Sequence, residues 1–329
     1  MTTVLVNGVG GLLGVAIARR LSEHETNSVI GLGRRPPPGP IGRAEYLVAG
    51  LSGRQLIELL RAERVETVVH VDFLGADQPT ESREAAVQQN VLGTMELLGA
   101  CAAAGVRSVV LRSHAGVYGA APTNPTMIGE SRPVARAGLS GLVRDFAEVE
   151  QFVADFAPQH PALKIATMRC APLVGTWSPL VGYLSEAGPR TLFGFDPIIQ
   201  LLHLDDAAAA FAAAATAEAA GAFNLACDDT LRLSQAIRLA GQQPVPVLEP
   251  LVGLASALGD HRLLAGWPYD ISFLRYSCVV DSARARAELG WSPAHSAADS
   301  LRAMRANGHA LEDQAAAEAA LRAFLARRS

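Results

Sequence analysis

Lysine is nearly absent from this 329-residue chain: of 28 basic residues, one is a lysine, Lys164, and 27 are arginines. Any mechanism that needs a lysine therefore has a single candidate. Cysteine is also scarce. Cys101, Cys170, Cys227 and Cys278 stand far apart, which excludes a paired zinc motif or a disulfide frame and suggests reduced, mostly buried thiols. No run of 18 apolar residues exists, so no membrane span is expected. A net charge of −4 leaves no electrostatic case for nucleic acid or an anionic membrane as a partner. Residues 1–21 carry a tight glycine pattern in place of a cleavable leader, giving the expectation of a cytoplasmic protein. Internal repeats are lacking. With 50% hydrophobic and 18% charged residues, the chain should fold, and its length exceeds what one core usually serves.

Short apolar runs alternate with helical spacing through the first half. Residues 3–7, 28–32, 46–48, 67–71, 108–111 and 163–168 read as strands, and 15–21, 55–62, 83–104 and 142–156 as helices. This alternation predicts an α/β fold, a Rossmann-like doubly wound parallel sheet with helices on both faces. The expected division is a dinucleotide-binding domain over 1–170 and a smaller α/β substrate lobe over 171–329, interleaved with the first. In that lobe helices are expected near 205–219 and 233–240, short strands near 222–225 and 278–280, and an Ala-rich surface helix over 310–328. His203 with Asp205 and Asp206 reads as a loop-to-helix cap, and no metal site is expected, because no other histidine has ligand spacing with it.

The first strand runs into Gly8, Gly10, Gly11, Leu12 and Gly14, then a helix. Strand, glycine loop and helix N-terminus together bind a pyrophosphate: the glycines allow close backbone approach, and the helix end supplies N–H groups and partial positive charge. An acid usually closes the second strand to hold a ribose diol. Here Arg34 and Arg35 follow Gly33 instead. A guanidinium suits a 2′-phosphate that a carboxylate would repel, so NADP(H) is favoured over NAD(H), with a pocket that binds no cofactor productively as the alternative.

These features resemble the extended short-chain dehydrogenase/reductase group, the NAD-dependent epimerase/dehydratase family. The likeness is carried by Asn7 to Gly14, Val68-Val69-His70, Asn90 to Thr94 and Ser113 to Gly119. It continues through Gln200 to Asp206, Gly221 to Ala226 and Leu289-Gly290-Trp291-Ser292-Pro293. The resemblance implies a cleft between a Rossmann domain and a substrate lobe, with Val71 and Asn90 among the cofactor-binding positions. It also implies a small-molecule substrate, and a homodimer through helices 83–104 and 142–156. It further implies a Ser/Thr, Tyr and Lys constellation, in which a nearby cation lets the phenol move protons near neutral pH.

That constellation is not here. The residues four places after Tyr46, Tyr118, Tyr183, Tyr269 and Tyr276 are Gly50, Pro122, Ala187, Phe273 and Val280, so no Tyr-x-x-x-Lys exists. Helix register puts Leu142 and Phe146 at the Tyr and Lys positions; a shifted register would put Ser140 and Arg144 there. His114 stands at the Ser/Thr position, after Ser113. Candidate catalytic groups are His114 as a neutral-pH acid or base, Asp72 as a carboxylate that could orient it, and Tyr118. Candidate pocket residues are Phe73, Ser113, Leu142, Phe146, Arg169, Trp177 and Arg275. Three readings remain open: an NADP(H)-dependent oxidoreductase or isomerase on a small, partly apolar metabolite; a redox-neutral cyclase, lyase or dehydratase; and a non-catalytic cofactor-binding sensor or partner subunit.

Overall fold

The computed structural model describes residues 2–77, 82–252 and 266–306. Six strands of the central sheet come from the first half of the chain: β1 (Thr2–Asn7), β2 (Asn27–Gly33), β3 (Glu45–Val48), β4 (Thr67–His70), β5 (Ser108–His114) and β6 (Lys164–Cys170). A seventh, Gly221–Leu225, lies beyond β6, giving the order seventh-β6-β5-β4-β1-β2-β3. All six pairings are parallel. Strands β4 and β5 are buried almost throughout, as expected of a parallel sheet covered on both faces. The order reverses at β1, between β2 and β4, and ligands bind beside such a switch point.

The covering helices are α1 (Leu12–Ser22), α2 (Gly53–Ala62), α3 (Arg83–Val87), α4 (Gly93–Ala104) and α5 (Gly141–Phe156). The single helix expected over 83–104 is interrupted by a π turn, Gln88–Leu92. Asn90 lies in that turn, and its amide accepts from Leu74 N–H at 2.7 Å and donates to Leu74 C=O at 3.1 Å and to Asp145 Oδ2 at 2.9 Å. The widened turn thus ties the loop after β4 to α5.

The second half returns to the first. The seventh strand pairs with β6, and α7 (Leu204–Thr216) packs on α1. The alanine run makes that approach close: Ala207, Ala208, Ala210 and Ala214 are all buried around Phe211. A separate core surrounds α6 (Pro179–Ser185), where Leu180, Tyr183, Leu184 and Ile237 are buried. The expected strand at 278–280 is only a bridge between Ile128 and Val280. The expected helix over 310–328 lies outside the described residues.

Candidate functional site: a nucleotide cleft beside an apolar cavity

The loop from β1 to α1 is shaped by its glycines. Gly8 has φ +121°, a conformation L side chains rarely adopt. A Cβ on Gly14 would stand 2.2 Å from Gly8 O, so only glycine lets the helix pass this close to the strand. Val71 packs beneath Gly8, and the Arg35 backbone crosses Gly10. Leu12 opens α1, half exposed. Next to the loop lies a cleft of about 550 Å³, lined by Asn7, Leu32, Arg34, Ala49, Gly50, Asp72 and Glu96 among others. Its wall is braced by His70. Asn7 Nδ2 donates to His70 Nδ1 at 3.0 Å, so the imidazole proton is on Nε2, which donates to Thr94 Oγ1 at 3.0 Å. Burial pushes the His70 pKa down to about 3. This cradle fits a dinucleotide: glycine backbone at a helix N-terminus, with Arg34 and Arg35 at the end of β2.

Asp72 belongs to this cleft. Its carboxylate lies 3.9 Å from Arg34 Nε, and burial raises its pKa against the opposing pull of Arg34 and Arg35. As the expected carboxylate partner of His114, Asp72 meets a different arrangement: the two residues line different cavities.

His114 ends β5 between two cavities of about 500 and 360 Å³. Gly116 N–H donates to its Nδ1 at 2.8 Å, which fixes the proton on Nε2, and Nε2 faces Tyr269 Oη at 3.4 Å. Burial, reinforced by the positive charge of Arg112, pushes the His114 pKa down to about 3. Burial also raises the Tyr269 pKa. Both groups are therefore neutral at physiological pH and present N–H and O–H. The smaller cavity is walled by Leu142, Val143 and Phe146, and the Phe146 ring lies parallel to His114 at 6.4 Å and against Phe73 at 4.6 Å. Arg144 is exposed and paired with Glu148, and Ser140 is exposed; of these four positions only Leu142 and Phe146 line the cavity, beside Val143. The larger cavity adds Ile198, Trp267, Phe273, Tyr276 and Cys278. Burial pushes the four cysteine pKa values up to about 12, leaving the thiols protonated and free.

Three further candidates are bound into a buried network. Arg169 reaches Glu150 through Nε and Nη2, at 2.9 and 2.5 Å to Oε2, and donates to Tyr118 Oη at 2.6 Å. Tyr118 in turn donates to Asn224 Oδ1 at 2.8 Å, and Ser113 Oγ donates to Glu150 at 2.5 Å. Burial opposes the Arg169 charge, but Glu150 outweighs it and strengthens protonation. Ser113 borders the smaller cavity, whereas Tyr118 and Arg169 line neither cavity at His114. Arg275 is paired with Glu249, and the Trp177 indole packs on Gly182; neither lines these two cavities.

Sequence spacing did not point to Tyr269. The signal available was a concentration of aromatics, Trp267, Tyr269, Phe273 and Tyr276, in a chain with only 5% aromatic residues. Spacing also hid a grouping at the start of α7. His203 Nδ1 accepts from Asp205 N–H at 3.2 Å, which is the expected cap, and His295 stacks on His203 at 3.9 Å. His203, Asp205 and His295 bring ligand atoms within 4.8 Å of one another.

Fold and cleft together define a Rossmann-type protein with an apolar cavity at the end of β5. The chain belongs to the NAD-dependent epimerase/dehydratase family, whose model matches residues 4–226. An uncharacterized protein of Mycobacterium tuberculosis is 35% identical over 303 residues, covering 88% of this chain and 80% of that protein. The 3-diazoavenalumate denitrifying reductase of a Streptomyces species is 29% identical over 315 residues, covering 89% of this chain and 96% of its own. Among solved structures, the UDP-glucose-4-epimerase of Stenotrophomonas maltophila, with bound NAD and formylated UDP-arabinopyranose, superposes with a TM-score of 0.70. It is 21% identical, covering 95% of this chain and all of that one. No helix among the described residues is long and apolar enough to cross a membrane.

Proposed function

We propose that this protein is an NADP(H)-dependent reductase acting on a small, largely apolar aromatic substrate. The observation that carries the reading is the pairing of an arginine-flanked glycine cradle with an aromatic cavity whose central polar groups are two neutral donors. The glycine loop from Gly8 to Gly14 would hold the pyrophosphate, and Arg34 and Arg35 the 2′-phosphate. Bound there, the dinucleotide supplies hydride. The chain's own residues supply position and hydrogen bonds. His114 Nε2–H faces Tyr269 Oη, which leaves the Tyr269 hydroxyl proton to donate, and neither group is a base at neutral pH. They would hold an oxygen or nitrogen of the substrate and stabilise negative charge that grows on it. Phe146, Leu142 and Trp267 would pack the rest of the substrate and exclude water.

This arrangement suits an electrophile that needs no proton shuttle. The Streptomyces relative's name supports the same class, since it denotes a reductase acting on a diazo compound with loss of nitrogen. The epimerase relatives by fold take sugar nucleotides, and the apolar wall at Leu142 and Phe146 argues against a sugar ring here. The test is NADPH consumption with two substrate panels, one of aromatic diazo and diazonium compounds and one of sugar nucleotides. Turnover confined to the aromatic panel, falling about 10²-fold in Tyr269→Phe, is expected. Epimerisation or oxidation of UDP-glucose would contradict the reading.

A further inference from the structure

A carboxylate already occupies the place where a phosphate would meet the glycine loop. Gly11 caps the N-terminus of α1, and the middle glycine of such a loop is the one whose missing side chain lets a pyrophosphate come up to the backbone. In this structure Asp77 Oδ2 fills that space, 2.6 Å from the position a Cβ on Gly11 would take. The other oxygen, Asp77 Oδ1, accepts from Arg112 Nη1 at 2.8 Å. Both partners are sequestered: the Arg112 side chain is 6% exposed and that of Asp77 is 14% exposed.

To a guanidinium, a carboxylate and a phosphate present the same kind of charged acceptor, so either can satisfy Arg112. They cannot share one site, because two anions in van der Waals contact at a buried position repel strongly. Nor can Asp77 simply leave, since a buried guanidinium without an anion is strongly destabilising. An incoming pyrophosphate resolves both constraints at once: it displaces Asp77 from Gly11 and takes its place on Arg112. Arg112 also borders the smaller cavity together with His114, so the exchange would occur at the junction of the two sites.

We propose that Arg112 is the side chain of this protein that binds the dinucleotide pyrophosphate, and that Asp77 is a resident anion which the nucleotide must displace. The inference rests on the dinucleotide reading above and adds two residues to it. Nucleotide affinity is then set by a competition built into the chain, and removing the competing charge should tighten binding.

The experiment is calorimetric titration of NADPH, and separately of inorganic pyrophosphate, into the wild type, Asp77→Asn, Arg112→Met and the double variant. Thermal unfolding confirms that each is folded. Asparagine keeps an acceptor for Arg112 without the charge, and the double variant leaves no buried charge unpaired, so at least one informative protein should fold. Asp77→Asn is expected to bind NADPH at least tenfold more tightly than wild type, with Arg112→Met and the double variant at least tenfold more weakly than Asp77→Asn. Unchanged or weaker binding by folded Asp77→Asn, or double-variant affinity equal to that of Asp77→Asn, overturns the proposal while leaving the dinucleotide reading in place. If no protein binds NADPH, the dinucleotide reading fails. The proposal falls with it, even if pyrophosphate binds Asp77→Asn more tightly than wild type.

Discussion

At the scale of single residues, this site is defined by protonation states that burial sets. His70 and His114 both have pKa values near 3, against about 6.5 for an exposed imidazole, and in both a donated hydrogen bond to Nδ1 fixes the proton on Nε2. The consequence for stability has a definite sign. As pH falls below about 6.5, the unfolded chain takes up protons that the folded one refuses until about 3, so stability is full above that window and drains away within it. Each histidine should contribute a slope of about 1.4 kcal/mol per pH unit there. Urea unfolding between about pH 7 and about pH 4 should show this loss, and His114→Asn, which keeps an acceptor for Gly116 N–H, should remove about half of it. An unchanged slope in His114→Asn would mean that His114 titrates normally in the folded protein. The same protonation state makes His114 a hydrogen-bond donor rather than a base, a role its residue type alone did not distinguish. Placing it at the end of β5 was within reach of the sequence, because the Val117-Tyr118-Gly119 motif fixes the register. Its partner Tyr269 was not, since 155 positions separate the two residues.

At the scale of elements, α5 serves the cavity and the interior at once. Leu142 and Phe146 face the cavity, and the same helix sends Glu150 and Asp145 into the interior. Glu150 is held by Arg169 and Ser113, and Asp145 by Arg83 and Asn90. These buried pairs anchor α5 to β5, β6 and the π turn. Breaking one should be costly: Arg169→Met leaves Glu150 charged and buried, with an expected loss of about 3–5 kcal/mol in chemical denaturation. Arg144→Ala on the exposed face of the same helix, which breaks the i,i+4 pair with Glu148, should lose about 0.5 kcal/mol or less. Equal losses would show that the buried pair contributes no more than a surface one. The helix itself was legible from apolar spacing, as were the buried strands, whose Val- and Ile-rich runs have no helical alternative of that length. The π turn within 83–104 was not, because it depends on Asn90 meeting the backbone of Leu74, a contact made only in the folded chain. Arg169 illustrates the same limit. Its position at the end of β6 was readable, but an anion for it could equally have been a ligand or Glu150, and only the fold brings Glu150 to it.

At the scale of the whole molecule, the cleft and the apolar cavity lie at neighbouring strand ends of one sheet. The cleft gathers residues from β1, β2 and β4 at the switch point of the sheet, while the apolar cavity needs the second half of the chain to bring Ile198, Trp267 and Tyr269 over β5. The first was legible in the sequence because its parts are local: a strand, a glycine loop and the arginines that follow β2. The second was only half legible, because its β5 and α5 walls carry family landmarks, while its outer wall comes from a segment with no motif. Fold likeness does not decide between cofactors, since the solved relative with NAD shares only 21% of its residues with this chain. Arg34 and Arg35 do bear on that choice, and they carry the central claim that this protein uses NADP(H). The most direct measurement is equilibrium binding of NADPH, NADP⁺, NADH and NAD⁺ to the wild type and to Arg34→Ala. Binding of the phosphorylated pair at least tenfold more tightly than NADH and NAD⁺, with that preference lost in Arg34→Ala, is the predicted result. Equal affinity for all four, or preference for NADH that the substitution leaves untouched, would contradict it.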